Sequence, residues 1–296
     1  MAPTILVRYG ELALKSPPVR REFEHTLQRN ILEQFQRAGL SCRLRADHGH
    51  LYVTSEAGPP AVRLLRRVFG VTSVSEVTEV GSDRAEIAAR LLELAEPVLA
   101  PESRFAVRAR RTGSHPFTSQ ELAGELGGAV LEQFADRRLS VDLDHPQVEL
   151  HVEVRGPRTY LSLDRYSGPG GLPLGVAGSV VALVDAPRGA LGAYLMMKRG
   201  CRCAVVYSGP GERLAREILG SYDPRLRAEP CGPDAEATLG RIADAIRADA
   251  VVLPLPVEAY PEARAHWGER VLFSPTVAFT DEEVAQRWRG IEELAV

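Results

Sequence analysis

The sequence has few of the features that assign a chain to a protein class at once. It holds only four cysteines in 296 residues, and their spacing matches neither a zinc site nor a disulfide framework. No apolar run reaches the ~18 residues of a membrane-spanning helix, and the N-terminal segment has no signal-peptide pattern. We therefore expect reduced thiols, no membrane association and a cytoplasmic location.

The chain also lacks an excess of positive charge. Its 36 Lys and Arg residues are outnumbered by 39 Asp and Glu, giving a net charge of −3, so composition alone does not indicate nucleic-acid binding. Residues 1–172 hold 22 cationic and 22 anionic residues, so the remainder carries the whole −3. Only Lys15 and Lys198 are lysines, and the arginines offer planar guanidinium groups that pair well with phosphate.

Recognisable catalytic signatures are missing as well. The chain contains no Walker A, GxGxxG or HExxH sequence and no Ser/His/Asp arrangement, and its seven histidines are scattered. We therefore predict no catalytic residue and no metal ligand.

The spacing of apolar residues indicates two α+β domains in the N-terminal half. Residues 1–77 follow the order βαββαβ, which is typical of a ferredoxin-like module. Residues 78–166 predict a second α+β domain that ends in a hairpin. Thr118 and Glu121 have the spacing of a capping box, so we expect a helix to begin there.

The C-terminal part alternates short strands and helices. Residues 179–296 predict a small Rossmann-like parallel sheet of four or five strands, with a helix at Leu191–Lys198 after the first of them. Residues 167–178, rich in glycine and proline, are predicted to be a linker. Their composition also fits a loop that approaches a ligand closely.

The densest positive charge lies on the predicted strand FAVRARR and the turn after it. Three arginines share one face because side chains alternate along a strand, and such a line suits a phosphate backbone. The alternative is a solvated sheet face whose arginines pair with Glu149 and Glu153 on a neighbouring strand. The candidate contacts are Arg104, Arg108, Arg110, Arg111 and His115.

A second basic segment precedes the first long helix. Lys15, Arg20 and Arg21 lie where the helix dipole favours an approaching anion, although an ordinary polar loop is the alternative interpretation. A further stripe at Arg63, Arg66 and Arg67 is predicted to be a solvated helix face.

Four segments resemble, in the same order, the tRNA 4-thiouridine synthetase family, which is also called the tRNA sulfurtransferase (ThiI) family. This resemblance covers nearly the whole chain. It implies that a ferredoxin-like domain and a THUMP domain bind tRNA around its acceptor stem and 3′ end. It further implies a pyrophosphatase-type (PP-loop) domain that uses ATP to adenylate a uridine, which is then thiolated with sulfur carried on cysteine. The segments are VRYGELALKSPPVRREFEHTLQRNI, FAVRARRTGSHPFTSQELAGELGGAVLE, LDRYSGPGGLPLG and GAYLMMKRGC.

The chain departs from this family at the loop that holds the phosphates of ATP. The family has Ser-Gly-Gly-x-Asp-Ser there, and the loop of this chain is one residue shorter. Asp185 would place negative charge against the phosphates and Pro187 removes an amide donor. Arg188 cannot restore the lost amide geometry with a side-chain cation. The residues at this degenerate nucleotide loop are Asp185, Ala186, Pro187, Arg188, Gly189 and Ala190.

Two further departures concern the family's Thr-Gly-Glu region and its catalytic cysteine. VVLPLPVEAYPEA stands in place of the first. The sequence ends at Val296, before the position of the second, and we do not assign that role to Cys201 or Cys231.

We therefore predict a tRNA-binding, ThiI-like protein that has no ATP cofactor and a degenerate PP-loop domain. It would act in tRNA thiolation without catalysis of its own, or together with a catalytic protein partner or as a homodimer. Two alternatives stay open: a divergent, active ATP-dependent tRNA sulfurtransferase, and a structural or regulatory protein without RNA binding.

Overall fold

A computed structural model describes residues 2–10, 15–47 and 49–295. The chain divides into two compact units, and strands β1, β3 and β4 defined below each contribute residues to both. Unit 1 comprises Met1–Leu6, Tyr52–Glu56 and Val74–Tyr166, and unit 2 comprises Val7–Leu51, Ala57–Ser73 and Ser167–Val296.

The first part of the chain has the predicted ferredoxin-like arrangement. Its strands lie in the order β2-β3-β1-β4. Helix α1 begins after Ser16 with two prolines, which suit the first turn because its amides have no partner within the helix. The elements are β1 (Thr4–Tyr9), α1 (Pro17–Arg37), β2 (Arg43–Asp47), β3 (His50–Thr54), α2 (Pro59–Leu65) and β4 (Val71–Gly81).

Unit 1 contains the second α+β region. Its strands continue in the order β4-β8-β7-β5-β6, with β5 parallel to β7 and with β7 and β8 forming the predicted antiparallel hairpin. The elements are α3 (Arg84–Ala95), β5 (Arg104–Thr112), α4 (Ser119–Gln133), β6 (Ser140–Val141), β7 (Val148–Arg155), β8 (Arg158–Ser162) and β9 (Tyr166–Ser167), with a 3-10 turn at Ala135–Arg137.

The capping box predicted for α4 is confirmed. The Thr118 hydroxyl accepts a hydrogen bond from the Glu121 amide at 3.1 Å, and the Glu121 carboxylate accepts one from the Thr118 amide at 2.7 Å. These bonds satisfy two amides that lack partners within the helix. They fix the start of α4 immediately after the basic turn.

Unit 2 contains the predicted Rossmann-like parallel sheet, in the strand order β12-β11-β10-β13-β14. Helices cover both faces, with α5 and α10 on one core and α8 and α9 on the other. The elements are β10 (Ser179–Val184), α5 (Pro187–Lys198), β11 (Arg202–Tyr207), α6 (Gly211–Arg213), a π-helical segment (Leu214–Leu219), α7 (Gly220–Tyr222), β12 (Arg227–Pro230), α8 (Ala235–Ile246), β13 (Ala250–Val252), a 3-10 turn (Val257–Ala259), α9 (Tyr260–His266), β14 (Val271–Phe273) and α10 (Asp281–Ala295).

Two details of this sheet differ from the sequence-based expectation. Helix α5 begins at Pro187 instead of Leu191, because a proline in the first helical position costs no hydrogen bond and its φ is already helical. Strand β12 was not predicted, because its sequence Arg-Ala-Glu-Pro has no apolar run. A proline is tolerated there because β12 is an edge strand.

The segment predicted as a linker is packed in unit 2. Gly171 has a φ of +73°, and a Cβ on it would lie 2.1 Å from the carbonyl oxygen of Lys198, so only glycine fits. The Leu172 amide donates to that same carbonyl at 3.0 Å, and the Gly70 amide donates to the Gly170 carbonyl at 2.8 Å.

No helix in the described residues is both long and apolar enough to cross a membrane.

Candidate functional site

Strand β5 divides its side chains between a core face and an arginine face. Phe105 and Val107 are buried in the core that includes residues of α3 and α4. The opposite face carries the three arginines that the alternation predicted. In the parallel register with β7, Arg108 lies beside His151 and Arg110 beside Glu153.

Two of these arginines are paired with carboxylates. Arg104 contacts Asp142 at 2.9 Å. Arg108 donates from Nε to Glu149 at 2.7 Å and from Nη2 to the Leu143 carbonyl at 2.7 Å. The alternative interpretation, a sheet face on which arginines pair with carboxylates, therefore describes this half of the cluster. Any phosphate binding by these two arginines has to compete with their carboxylate partners.

The other half of the cluster is arranged differently. Arg110 and Arg111 are exposed, and neither forms an ion pair with any residue the structure describes. Arg111 donates to the Gly113 carbonyl at 3.2 Å, and a His115 ring nitrogen lies 3.1 Å from the Thr112 carbonyl. The turn after β5 is thus held by its own side chains, and two guanidinium groups that form no ion pair in the described chain stand at its start. The charge of Arg111 also acts on the Glu121 carboxylate.

A buried aromatic ring supports this turn. Phe117 is buried, and its ring lies 5.5 Å from that of His115 and 4.8 Å from the guanidinium carbon of Arg84. The core contact of Phe117 thereby fixes where the turn leaves the sheet.

The basic segment before α1 also separates into two kinds of residue. Arg20 donates to Glu24 at 2.8 Å, and the same carboxylate accepts the Tyr9 hydroxyl at 2.5 Å. Burial, followed by the hydrogen bond to Glu24, raises the pKa of Tyr9 above its ordinary value. Arg20 therefore joins α1 to β1. Lys15 and Arg21 are exposed and form no ion pair within the described part of the chain.

The carboxyl edge of the unit 2 sheet is where a doubly wound fold holds its ligand. The strand order reverses at β10, whose neighbours β11 and β13 lead away in opposite directions, and such a reversal opens a crevice at the carboxyl ends. At this edge each strand is followed within three residues by a proline, which has no amide to donate. These prolines are Pro187, Pro210, Pro233, Pro254 and Pro275.

The connection from β10 to α5 consists of Asp185 and Ala186 alone, so Pro187 to Ala190 already belong to the first helical turn. Ala186 gives α5 no side-chain cap. A Cβ on Gly189 would lie 2.4 Å from the carbonyl oxygen of Leu183, and one on Gly211 would lie 1.8 Å from that of Val184. Two other segments thus press directly against the carboxyl end of β10.

The Arg188 guanidinium is held by the segment that follows β14. It donates to the carbonyls of Thr276 at 2.8 Å and Phe279 at 2.9 Å and pairs with Asp281 at 2.7 Å. These bonds join the start of α5 to the start of α10. The Arg188 guanidinium is therefore occupied by these contacts and is not a free cation for a phosphate.

The thiols of Cys201 and Cys203 are not activated as nucleophiles. Burial raises the pKa of both Cys201 and Cys203, which lowers the thiolate fraction and with it the nucleophilicity. In the described residues no group of three His, Cys, Asp or Glu side chains could hold a metal ion.

Sequence reasoning missed the partner of Arg104. Asp142 accepts the amides of Asp144 and His145, and these backbone bonds, led by that of His145, lower the pKa of its carboxyl group. The spacing Asp142-Leu-Asp144-His145 was a local signal for a turn built on an aspartate. Nothing local indicated that this aspartate would meet an arginine on another strand.

Two family profiles match the N-terminal half of the chain. The ThiI ferredoxin-like domain matches residues 4–75 and the THUMP domain matches residues 82–164. A probable tRNA sulfurtransferase of Methanothermobacter thermautotrophicus is 41% identical over 212 residues, covering 69% of this chain and 52% of the relative. The tRNA sulfurtransferase of Pyrobaculum aerophilum is 35% identical over 249 residues, covering 79% and 49%. The chain thus spans about half the length of these curated relatives.

Two solved structures share the fold along the chain. The crystal structure of PH1313 from Pyrococcus horikoshii has a TM-score of 0.80 at 25% identity and covers 98% of this chain and 99% of that one. The crystal structure of a 4-thiouridine synthetase–RNA complex with bound ATP has a TM-score of 0.76 at 22% identity and covers 100% and 87%. The ferredoxin-like, THUMP and parallel-sheet parts thus all have counterparts of known structure.

Proposed function

The chain belongs to the tRNA sulfurtransferase (ThiI) family, and we propose that it binds tRNA in tRNA thiolation without itself using ATP. The observation that carries this proposal is a contrast between two parts of the molecule. Exposed arginines that form no ion pair in the described chain stand on the THUMP region. At the carboxyl edge of the parallel sheet, a proline follows every strand and Arg188 is already bound.

Support for RNA binding comes from the basic side chains that remain free of carboxylates. Arg110 and Arg111 can each donate two hydrogen bonds to a phosphate without first breaking an ion pair. Lys15 and Arg21, at the start of α1, add positive charge where the helix dipole attracts an anion. Arg104 and Arg108 contribute less, because a phosphate would have to compete with Asp142 and Glu149.

Support for the absence of ATP use comes from the start of α5. A phosphate site of this kind needs several converging backbone amides. Here Pro187 removes the first amide of the helix, Asp185 sets a carboxylate beside its first turn, and Arg188 is bound to Thr276, Phe279 and Asp281. The residues at this edge do not fit a triphosphate, and no chemical step is assigned to them.

In this role the chain presents tRNA for a reaction whose nucleotide site another protein supplies. The curated relatives are named tRNA sulfurtransferases, so the reaction we infer is a thiolation of the 4-thiouridine type. The RNA contacted is the acceptor stem and 3′ end, and the protein works in the cytoplasm. The partner that supplies this site is a separate catalytic subunit, and a homodimer of this chain is the alternative assembly, which would have no nucleotide site of its own.

We expect the purified chain to bind tRNA about tenfold or more tightly than a random-sequence hairpin of the same length. The contacts are mainly with phosphate, so the affinity should fall steeply between low and moderate salt. Fluorescence anisotropy with labelled RNA at several salt concentrations measures both quantities. Equal affinity for the two RNAs would contradict the tRNA proposal.

We also expect no tRNA-dependent exchange between ATP and pyrophosphate, because no phosphate loop is available to bind ATP for adenylation. The tRNA sulfurtransferase of Pyrobaculum aerophilum, assayed in parallel, serves as the positive control. Measurable exchange by the purified chain would show that it is a divergent enzyme and would overturn this half of the proposal.

A further inference from the structure

Helix α1 carries two buried amide side chains that are unusual for a helix packed on its own sheet. Asn30 is 7% exposed and Gln34 is 9% exposed. A buried amide is tolerated only where its hydrogen bonds are made. Asn30 donates to the Leu174 carbonyl at 3.1 Å, and Gln34 donates to the carbonyls of Ser221 and Tyr222 at 3.2 and 3.0 Å.

Ion pairs lie beside these amides. Glu33 on α1 pairs with Arg225 at 2.5 Å, and only 14% of the Glu33 side chain is exposed. Arg202, the first residue of β11, pairs with the buried Asp223 at 2.9 Å and lies 3.5 Å from the Asn30 amide oxygen. The C-terminal half of α1 is thus bound by residues between 174 and 225.

The segment that follows α2 is bound to the same part of unit 2. The Phe69 ring lies 5.1 Å from that of Tyr194 and 5.6 Å from that of Tyr222. Arg67 donates to the Leu294 carbonyl in the last turn of α10 at 2.8 Å, and burial lowers its pKa. The prediction of a solvated arginine stripe is therefore wrong for Arg67, because its partner lies 227 residues away along the chain.

These contacts lie away from the edge where the family's nucleotide loop belongs. Arg202 begins β11, and Tyr222 and Asp223 precede β12, so they lie at the amino ends of parallel strands. Asp185 and Pro187 follow the carboxyl end of β10. The two edges of a parallel sheet are separated by the length of its strands, so one edge can lose a ligand site while the other keeps its contacts.

We propose that the parallel-sheet domain positions α1 for RNA binding. Asn30, Glu33 and Gln34 act as positioning residues that hold the C-terminal half of the helix. Arg21 lies toward the N-terminus of the helix, about 14 Å along the axis from Asn30 and about 20 Å from Gln34, at about 1.5 Å per residue. A helix held in place presents this basic end without the ordering cost that a loose helix would incur on binding. This inference rests on the proposed function and gives a role to a domain that lacks a nucleotide site.

The sharpest test reverses one charge in the full-length chain. Glu33→Arg adds positive charge, so electrostatics alone would make tRNA bind more tightly. Positioning predicts the opposite, because the new cation faces Arg225. We expect roughly tenfold weaker binding to labelled tRNA by fluorescence anisotropy, and recovery in the double variant Glu33→Arg/Arg225→Glu, which restores the pair and the net charge.

A second variant removes the anchors without changing charge. Asn30→Ala/Gln34→Ala should weaken tRNA binding by a similar factor at a temperature well below the melting transition. It should also lower the salt dependence of the affinity to that of Lys15→Ala/Arg21→Ala, because the same phosphate contacts are lost.

The outcomes separate this inference from the proposed function. Failure of the unmodified chain to bind tRNA would overturn both. Unchanged or tighter binding by Glu33→Arg, or unchanged binding and salt dependence in Asn30→Ala/Gln34→Ala, would overturn the positioning role alone.

Discussion

We expect Gly211→Ala to lower the free energy of unfolding by about 3 kcal/mol, because the added methyl group would overpack a site that has little room to relax. The added Cβ would lie 1.8 Å from the carbonyl oxygen of Val184 and 2.7 Å from its carbonyl carbon. Both are backbone atoms at the end of the central strand, so neither can rotate away. Urea denaturation of the two proteins measures the difference.

Gly240→Ala is the matched control for this change. Gly240 lies inside α8, and a Cβ there would meet nothing within 4 Å. We expect the control to be neutral or to stabilise by up to about 1 kcal/mol, because alanine favours a helix interior. If the urea midpoint of Gly211→Ala equals that of the unmodified protein, the close approach of Gly211 to the Val184 carbonyl is wrong.

We expect Arg110→Ala/Arg111→Ala to weaken tRNA binding by about two orders of magnitude and to reduce the salt slope by about one per lost phosphate contact. Both guanidinium groups are exposed and neither forms an ion pair in the described chain, so a phosphate can bind them without displacing a carboxylate. The measurement is an anisotropy titration of labelled tRNA at several salt concentrations.

Arg104→Ala/Arg108→Ala supplies the control on the same strand. It removes the same charge, but these side chains are paired with Asp142 and Glu149. We expect a smaller loss of affinity, because the freed carboxylates and the lost cations change the local potential without removing a direct contact. Equal losses of affinity in the two double variants would show that all four arginines contribute alike to RNA binding. The ion pairs of Arg104 and Arg108 would then not reduce their contribution.

Several parts of the fold follow from short-range patterns. Thr118 and Glu121 predicted the start of α4 because a capping box is formed within four consecutive residues. The hairpin of β7 and β8 was visible in alternating residues around Gly156-Pro157, and alternation along β5 placed Phe105 and Arg110 on opposite faces. Strand β12 escaped prediction because Arg227–Pro230 is an edge strand with a charged sequence, and its place in the sheet is set by β11.

The candidate site was predictable only as a set of residue types. Local spacing grouped Arg104, Arg108 and Arg110 on one face. It could not show that Asp142 and Glu149 bind the first two, since those carboxylates lie 38 and 41 residues further along the chain. The same holds for Arg20, because the sequence did not show that Glu24 accepts hydrogen bonds from both Arg20 and Tyr9.

The sequence by itself predicted the α+β and parallel-sheet elements, because turns, caps and periodicity are properties of neighbouring residues. The THUMP assignment and the expected departure of the β10–α5 loop came from the resemblance to the family. Only the tertiary structure decided which cations form no ion pair, where α5 begins, and that Arg188 is bound by the segment before α10. It also decided that Asn30 and Gln34 bind the carbonyls of Leu174, Ser221 and Tyr222. Those outcomes depend on carbonyls and carboxylates brought in by distant segments. Whether a given side chain can bind a ligand therefore depends on its burial and on its partners, and not on its residue type alone.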